Sequence, residues 1–338
     1  MDIDGRINET QKVIIATGSS LSVPEIPGLE KAAMTTDEVL EMTAVPESIL
    51  VCGAGYIEVE MAFLLNTFGC KVFMATASAR ILPKEDSDTS QRIAQALREK
   101  GVDIIPRASI ESVKTNKTET TCELSGPKER SVNVKKILVS NRIPNTSGLG
   151  LKKIGIRLNE DNGIRVNDRL ESSVEGIYAI GDATGGWMLS HAASSMAVFA
   201  AENAMGAKKR YPFNLIPRCL WTQPEMGAVG LSEEDAEKQG YDVETGVFPY
   251  AINGLAMVRN EVDGAVKIVS DARYGEILGV HIVGSNATEL AGEAVLAMQL
   301  EATAQELARS IRVHPTFSEA VVDAARDANN WALYLPRS

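Results

Sequence analysis

The chain has 338 residues, 44% of them hydrophobic, with a formal net charge of −11 and a pI near 5.0. That length gives room for about two or three domains with real cores, and no Pro/Gly/Ser-rich linker divides it. The acidity argues against nucleic acid or an anionic membrane as a partner, and no apolar run is long enough to span a bilayer. Small molecules and other proteins are the expected partners. The opening "MDIDGRINETQK" lacks the basic start and apolar core of a signal peptide, so a cytoplasmic location is expected. The four cysteines, Cys52, Cys70, Cys122 and Cys219, show no spacing of a redox or zinc pair and read as reduced core residues.

Strand and helix signals alternate from the start. "KVIIATGSS" is a β-branched run closed by Thr17 and Gly18, a buried strand entering a turn. "SILVCGAGYIEVEMAFLLNTFGCKVFMATASA" then gives strand, Gly-rich turn, helix and strand, a βαβ unit. A helix is expected from about Thr89 to Lys100, ended by Gly101. The polar, alternating runs "ESVKTNKTETTCELSG" and "RSVNVKKILVSNR" predict a hairpin and a return strand. "EGIYAIGDATGG" is another apolar strand stopping at a Gly-Asp turn, and "HAASSMAVFAAENAMG" continues as a helix of small residues. After about Leu215 come strands joined by short turns, in "CLWTQPEMGAVGL", "VETGVFPYA", "GAVKIVSD" and "EILGVHIVG", then helices near 287–300, 304–310 and 316–328. That pattern predicts an α+β domain, a sheet with helices on one side.

In "VCGAGYIEVE", Gly53 and Gly55 follow a strand and open a helix, where backbone N–H groups and the helix dipole can hold a pyrophosphate. The context favours dinucleotide binding over a plain βαβ turn. Against it, Glu58 stands where a Gly or Ala normally lets helix and strand approach, and its carboxylate would repel a phosphate. The end of the second strand offers Thr76, Ser78 and Arg80 in place of a ribose-binding acid, so NAD and NADP both stay open. Gly181-Asp182 is either an Asp-initiated loop or a strand-end carboxylate that accepts from a sugar or ribityl hydroxyl. His191 reads as a packed core histidine. Thr316-Phe317-Ser318-Glu319 fits a capping box, and the alternative makes His314 a general base oriented by Glu319.

Taken in order, "IIATGSS", "GAGYIEVEMA", "GIYAIGDATGG", "MLSHAA", "WTQPEMGAVGLSEEDA", "GEILGVHIVGSNATEL" and "HPTFSEAV" resemble the flavin-dependent pyridine nucleotide-disulfide oxidoreductases, and within that family most of all the dihydrolipoamide dehydrogenases. The resemblance implies an α/β fold: a partial FAD-binding domain at 1–30 and 146–214, a Rossmann-like NAD(P)-binding domain at 31–145, and an α+β dimerisation domain at 215–338. It implies FAD contacts at Thr17, Gly18, Gly181, Asp182, Met188, Leu189 and His191, nicotinamide nucleotide at Gly53 and Gly55, and Glu60 near the nicotinamide. It further implies a homodimer in which His314, oriented by Glu319, reaches the other subunit's site and handles the proton of a dithiol such as dihydrolipoamide. The chain ends "LPRS", without the C-terminal cysteine pair of mercuric reductases, which favours a dithiol substrate.

Two family motifs do not occur in the sequence: a GxGxxG turn for the FAD pyrophosphate and the CxxxxC redox disulfide. The resemblance therefore implies that roughly a hundred residues, a domain-sized piece, are missing, and that the disulfide comes from a separate chain or was lost by truncation. Three functions follow as expectations: an enzyme completed by that missing part, a non-catalytic dimeric scaffold holding a nucleotide, and a diaphorase-like fragment that passes hydride to a loosely bound flavin.

Overall fold

An apolar strand covered on both faces is buried at every position, and Ile49, Leu50 and Val51 have no exposed surface. In the computed structural model, which describes all residues except 1, 4, 8, 118, 128, 337 and 338, these three lie in the central strand of a five-stranded parallel sheet. Its order is Ala33–Thr35, Lys136–Val139, Ser48–Cys52, Lys71–Thr76, Asp103–Pro106. Alternation assigns the two faces. Ile49 and Val51 join Val59, Ala62 and Leu65 of the helix Tyr56–Thr67 and Ile93 and Leu97 of the helix Ser87–Glu99. Leu50 instead meets Ile110, Cys122 and Val132 of an antiparallel layer, Ser109–Thr115, Thr120–Ser125 and Arg130–Val134.

Residues 23–140 and 214–338 form one unit by contact density, and residues 1–22 with 141–213 form a second. The first unit also holds a second sheet, all antiparallel, ordered Arg218–Leu220, Met226–Gly230, Ile277–Val283, Ala265–Asp271, Val243–Pro249. One face of it, with Val229, Phe248, Ile268 and Ile282, packs on the helices Ala287–Gln299, Ala304–Arg309 and Glu319–Ala328. On the other face Leu220, Met226 and Ala228 enter the parallel-sheet cluster with Val59 and Leu97. The last helix starts at Glu319, three residues later than the sequence pattern suggests. Three six-residue helices, Thr36–Glu41, Glu233–Lys238 and Gly254–Arg259, were not anticipated; Thr35, Ser232 and Asn253 cap them through side-chain oxygens.

The smaller unit pairs short strands: Ile177–Ala179 runs parallel to Val13–Ile15, and Arg142–Pro144 antiparallel to Ser19–Leu21. The helix Ser190–Ala204 follows the first of these. Among the described residues no helix is long and apolar enough to cross a membrane.

Buried charge ties the two sheets of the larger unit together. Lys267 Nζ, on the antiparallel sheet, lies 3.1 Å from both carboxylate oxygens of Asp86 and 2.6 Å from Glu233. Asp86 also caps the helix Ser87–Glu99 by accepting from Asp88 N. Alongside, Arg218 Nε donates to Glu85 at 2.7 Å, and the hydroxyl of Tyr56 donates to the same carboxylate. Burial alone would raise the Asp86 pKa, but the Lys267 charge and hydrogen bond and the Glu233 N–H hold it below the ordinary value. Burial would likewise lower Lys267, and Glu233 and Asp86 outweigh it and raise it. A depressed carboxylate stabilises the fold above its unfolded value of 3.8, and that stability is lost as pH falls through the lower folded value. Asp86→Asn keeps the cap and removes the charge. It should cost about 3 kcal/mol at pH 7 in urea denaturation, with the gap to the native protein closing below pH 3.8; equal stability at pH 7 would contradict this account.

Candidate functional site

Parallel strands end with their carbonyls and following turns on one edge, where open α/β sheets take ligands. In the smaller unit Thr17 and Gly18 follow Val13–Ile15, and Gly181 and Asp182 follow Ile177–Ala179, its parallel neighbour. Gly18 has φ 71°, and its carbonyl accepts from Asn145 N at 2.8 Å. Thr17 Oγ1 donates to the Asn145 carbonyl at 2.7 Å, and Asn145 Nδ2 returns a bond to Thr17 O at 3.0 Å. Asp182 Oδ2 accepts from Ser19 Oγ at 2.6 Å, with Arg142 Nε at 4.0 Å. Among the described residues no hydrogen bond to the other carboxylate oxygen is seen, and a carboxylate oxygen can accept from a hydroxyl such as a ribityl or sugar group brings. A Cβ on Gly181 would sit 2.9 Å from Ala193 Cβ, so this turn needs glycine to admit the helix Ser190–Ala204. Met188, at φ 49°, and Leu189, the N-cap, lead into that helix. His191 corrects an expectation: it is exposed, on the outward side of the first helical turn, while Ala192 fills the core. Thr17, Gly18, Gly181 and Asp182 thus meet at one edge, in a form that fits the sugar and ribityl portion of FAD.

In the larger unit the βαβ turn forms as the sequence predicts. Gly53 has φ 120°, its N–H donates to Ala75 O at 2.8 Å, and Gly55 caps Tyr56–Thr67 with no side-chain partner. Glu58 folds back over this turn. Its carboxylate accepts from Ser140 Oγ, a buried hydroxyl at the end of Lys136–Val139 and 82 residues away in sequence. The turn has the backbone of a dinucleotide site, but the glycine space is filled by an acid. No sequence signal pointed to Ser140. Glu60, two residues on, accepts from Trp221 N at 3.1 Å. Burial raises its pKa, and the Trp221 N–H only partly offsets that. Arg80 forks onto Glu234 at 2.9 and 2.8 Å and also donates to Glu85 O, so its charge is already matched.

At the far end of the larger unit, Glu319 does two things at once. Its Oε2 accepts from Thr316 N at 2.7 Å, the helix-start bond a capping reading requires. The reciprocal half of a capping box is not formed; the Thr316 hydroxyl donates to Val313 O. The other oxygen, Oε1, lies 2.8 Å from His314 Nδ1. The imidazole is 75% exposed while Glu319 is 24% exposed, so a half-buried carboxylate holds one ring nitrogen and the ring presents Nε2 outward. One side chain thus satisfies a helix-start N–H and contacts the His314 ring at the same time.

All four cysteines are unpaired. Burial pushes the Cys70 and Cys219 thiols up to about 11 and Cys122 to about 12, and burial together with the Glu58 charge raises Cys52. None is a thiolate at neutral pH, which is the form a redox nucleophile needs.

The family model described as pyridine nucleotide-disulphide oxidoreductase matches residues 3–197, and the dimerisation domain of the same family matches 216–325. A dihydrolipoyl dehydrogenase of Bacillus subtilis is 38% identical over 334 residues, covering 96% of this chain and 70% of that protein. The dihydrolipoyl dehydrogenase of Corynebacterium glutamicum is 36% identical over 320 residues, 92% of this chain and 68% of its own. Among solved structures, LpdA from Mycobacterium tuberculosis superposes with a TM-score of 0.84 at 27% identity, over 93% of this chain and 69% of that one. The HOCl-induced flavoprotein disulfide reductase RclA from Escherichia coli gives 0.81 at 27% identity, over 93% and 73%.

The thiol environments give a direct check. In native protein at pH 8, Ellman's reagent should react slowly, and unfolding in guanidinium should release all four thiols at once. A thiol that reacts within seconds in the native state would contradict the raised values.

Proposed function

The chain belongs to the pyridine nucleotide-disulphide oxidoreductase family, and on that premise we propose that it serves a flavin-dependent dithiol oxidation of the dihydrolipoamide dehydrogenase type. Enzymes of this family use FAD and NAD(H). The proposed net reaction takes dihydrolipoamide and NAD+ to lipoamide, NADH and a proton. The observation that carries the reading is the pairing of exposed His314 with Glu319 at 2.8 Å. Glu319 fixes the proton on Nδ1, which leaves Nε2 to take a proton from the substrate thiol, and the carboxylate then stabilises the imidazolium.

Thr17, Gly18, Gly181 and Asp182, with the helix start at Met188, Leu189 and His191, would hold FAD, which when bound supplies the two-electron relay between dithiol and nucleotide. Residues 1–30 and 146–214 would serve the flavin, 31–145 the nucleotide and 215–338 dimerisation. The redox disulfide would be carried by cysteines outside these 338 residues, on a separate chain or a further segment, since the four thiols here are unpaired and unreactive by environment. Arg80, matched by Glu234, is unavailable to a 2′-phosphate, which supports NAD over NADP. Ile311 and Val313 beside His314 are 95% and 75% exposed, and a homodimer would cover them while carrying His314 to the partner's site. A second reading, a non-catalytic dimeric scaffold, is favoured by the acid at the nucleotide turn.

The test combines this chain with a cysteine-bearing FAD segment from a relative. Dihydrolipoamide oxidation should appear, and His314→Gln should lower kcat by about 10²- to 10⁴-fold with flavin content unchanged. Unaltered kcat in the variant, or robust lipoamide reduction by the 338-residue chain alone, would contradict the proposal.

A further inference from the structure

The dinucleotide turn carries its own anion. Glu58 lies in the first turn of Tyr56–Thr67, where the unsatisfied N–H groups and the dipole give roughly half a positive charge. Its side chain is half-buried and folds back over the turn. A Cβ built on Gly55 would lie 2.7 Å from Glu58 Oε2, and one on Gly53 would lie 3.0 Å from Glu58 Cγ and 3.3 Å from Oε1. The carboxylate therefore fills the hollow that the two glycines open. Ser140 Oγ, on a residue only 4% exposed, donates to Oε1 and tethers it there. The nearby charge is also felt by Cys52, whose thiol is raised first by burial and then by Glu58.

We infer that Glu58, tethered by Ser140, is a built-in competitor for the pyrophosphate of an incoming dinucleotide and sets a weak nucleotide affinity for this chain. The inference rests on the family reading that this turn takes a dinucleotide, and it concerns affinity alone, independent of the dithiol chemistry. A phosphate reaching the helix start must displace the carboxylate or share the hollow with it. Displacement breaks the Ser140 bond and moves a charge away from the dipole. Sharing brings two anions together in a half-buried space. A hydrogen bond to a charged group of this kind corresponds to about a ten- to hundredfold change in affinity. A neutral ligand without phosphate meets neither penalty.

The experiment titrates NADH into the purified chain, followed by its fluorescence and by calorimetry, for the native protein, Glu58→Gly, Glu58→Gln and Ser140→Ala. Glu58→Gly should bind about ten- to hundredfold tighter than native. Ser140→Ala, which frees the carboxylate to swing out, and Glu58→Gln, which keeps the shape but removes the charge, should fall between the two. If Glu58→Gly does not fold, Glu58→Gln and Ser140→Ala decide the matter alone. Native affinity within about threefold of every folded variant would overturn the inference, as would absence of binding throughout. Adenosine serves as the control: it should gain little from Glu58→Gly, and a gain equal to that of NADH would overturn the role assigned to phosphate. A failed dithiol assay beside a clear affinity gain would sink the proposed reaction and leave this inference standing.

Discussion

Two buried cations hold the larger unit in its working form. Lys267 and Arg218 leave the antiparallel sheet and end on Asp86 and Glu85, consecutive residues after the second strand of the βαβ unit. Charges this deeply buried are expensive to desolvate, so the pairs do not explain net stability; they restrict which arrangements of the two sheets are tolerable. Any other register would strand a charge without its partner. The Tyr56 hydroxyl joins the same Glu85, and Tyr56 is the first residue of the helix that opens the nucleotide turn. The ion cluster thereby fixes the helix start as well as the sheet packing. His281 completes the cluster: fully buried, with Nε2 2.9 Å from Leu231 O, it is held neutral because burial lowers its pKa more than Asp86 and Glu85 raise it.

On that frame the functional side chains divide by how they are held. His314 is oriented by Glu319 and its exposed ring keeps a second nitrogen for proton transfer, while Asp182 is held through one carboxylate oxygen by Ser19. Glu58 shows the opposite arrangement. It is oriented into the hollow it would have to leave for a ligand, and its tether comes from another strand. A single acid thus turns a phosphate-binding turn into one that starts out satisfied.

Much of this was legible in the sequence because local signals and tertiary demands agree there. The β-branched runs before Gly18, Gly53 and Gly181 became strands followed by positive-φ glycines, as strand-to-turn chemistry requires, although Val13–Ile15 is not the buried strand its composition suggests, since Ile14 is exposed. The His314–Glu319 pairing could be read because five residues around a helix start leave little freedom. What could not be read is what distance in sequence hides. Ser140 and Glu58 are 82 residues apart, Arg218 and Glu85 are 133 apart, and Lys267 and Asp86 are 181 apart. No periodicity connects them. The helices Glu233–Lys238 and Gly254–Arg259 are too short to show an apolar stripe and depend on their caps. His191 was misjudged because a small-residue helix gives weak facing information: alanines occupy both sides, so composition does not say which side is buried.

The claim on which the functional account turns is that Glu319 fixes the protonation geometry of His314, beyond satisfying a helix start. Nitrogen-15 NMR of the labelled protein tests it most directly, by reading the two ring nitrogens of His314 in its neutral form. The account predicts the Nδ1–H tautomer in the native protein and a shift toward the mixed tautomers of a free imidazole in Glu319→Gln. A native His314 that already shows free-imidazole shifts, unchanged by the substitution, would contradict it and leave Glu319 as a helix-start residue only.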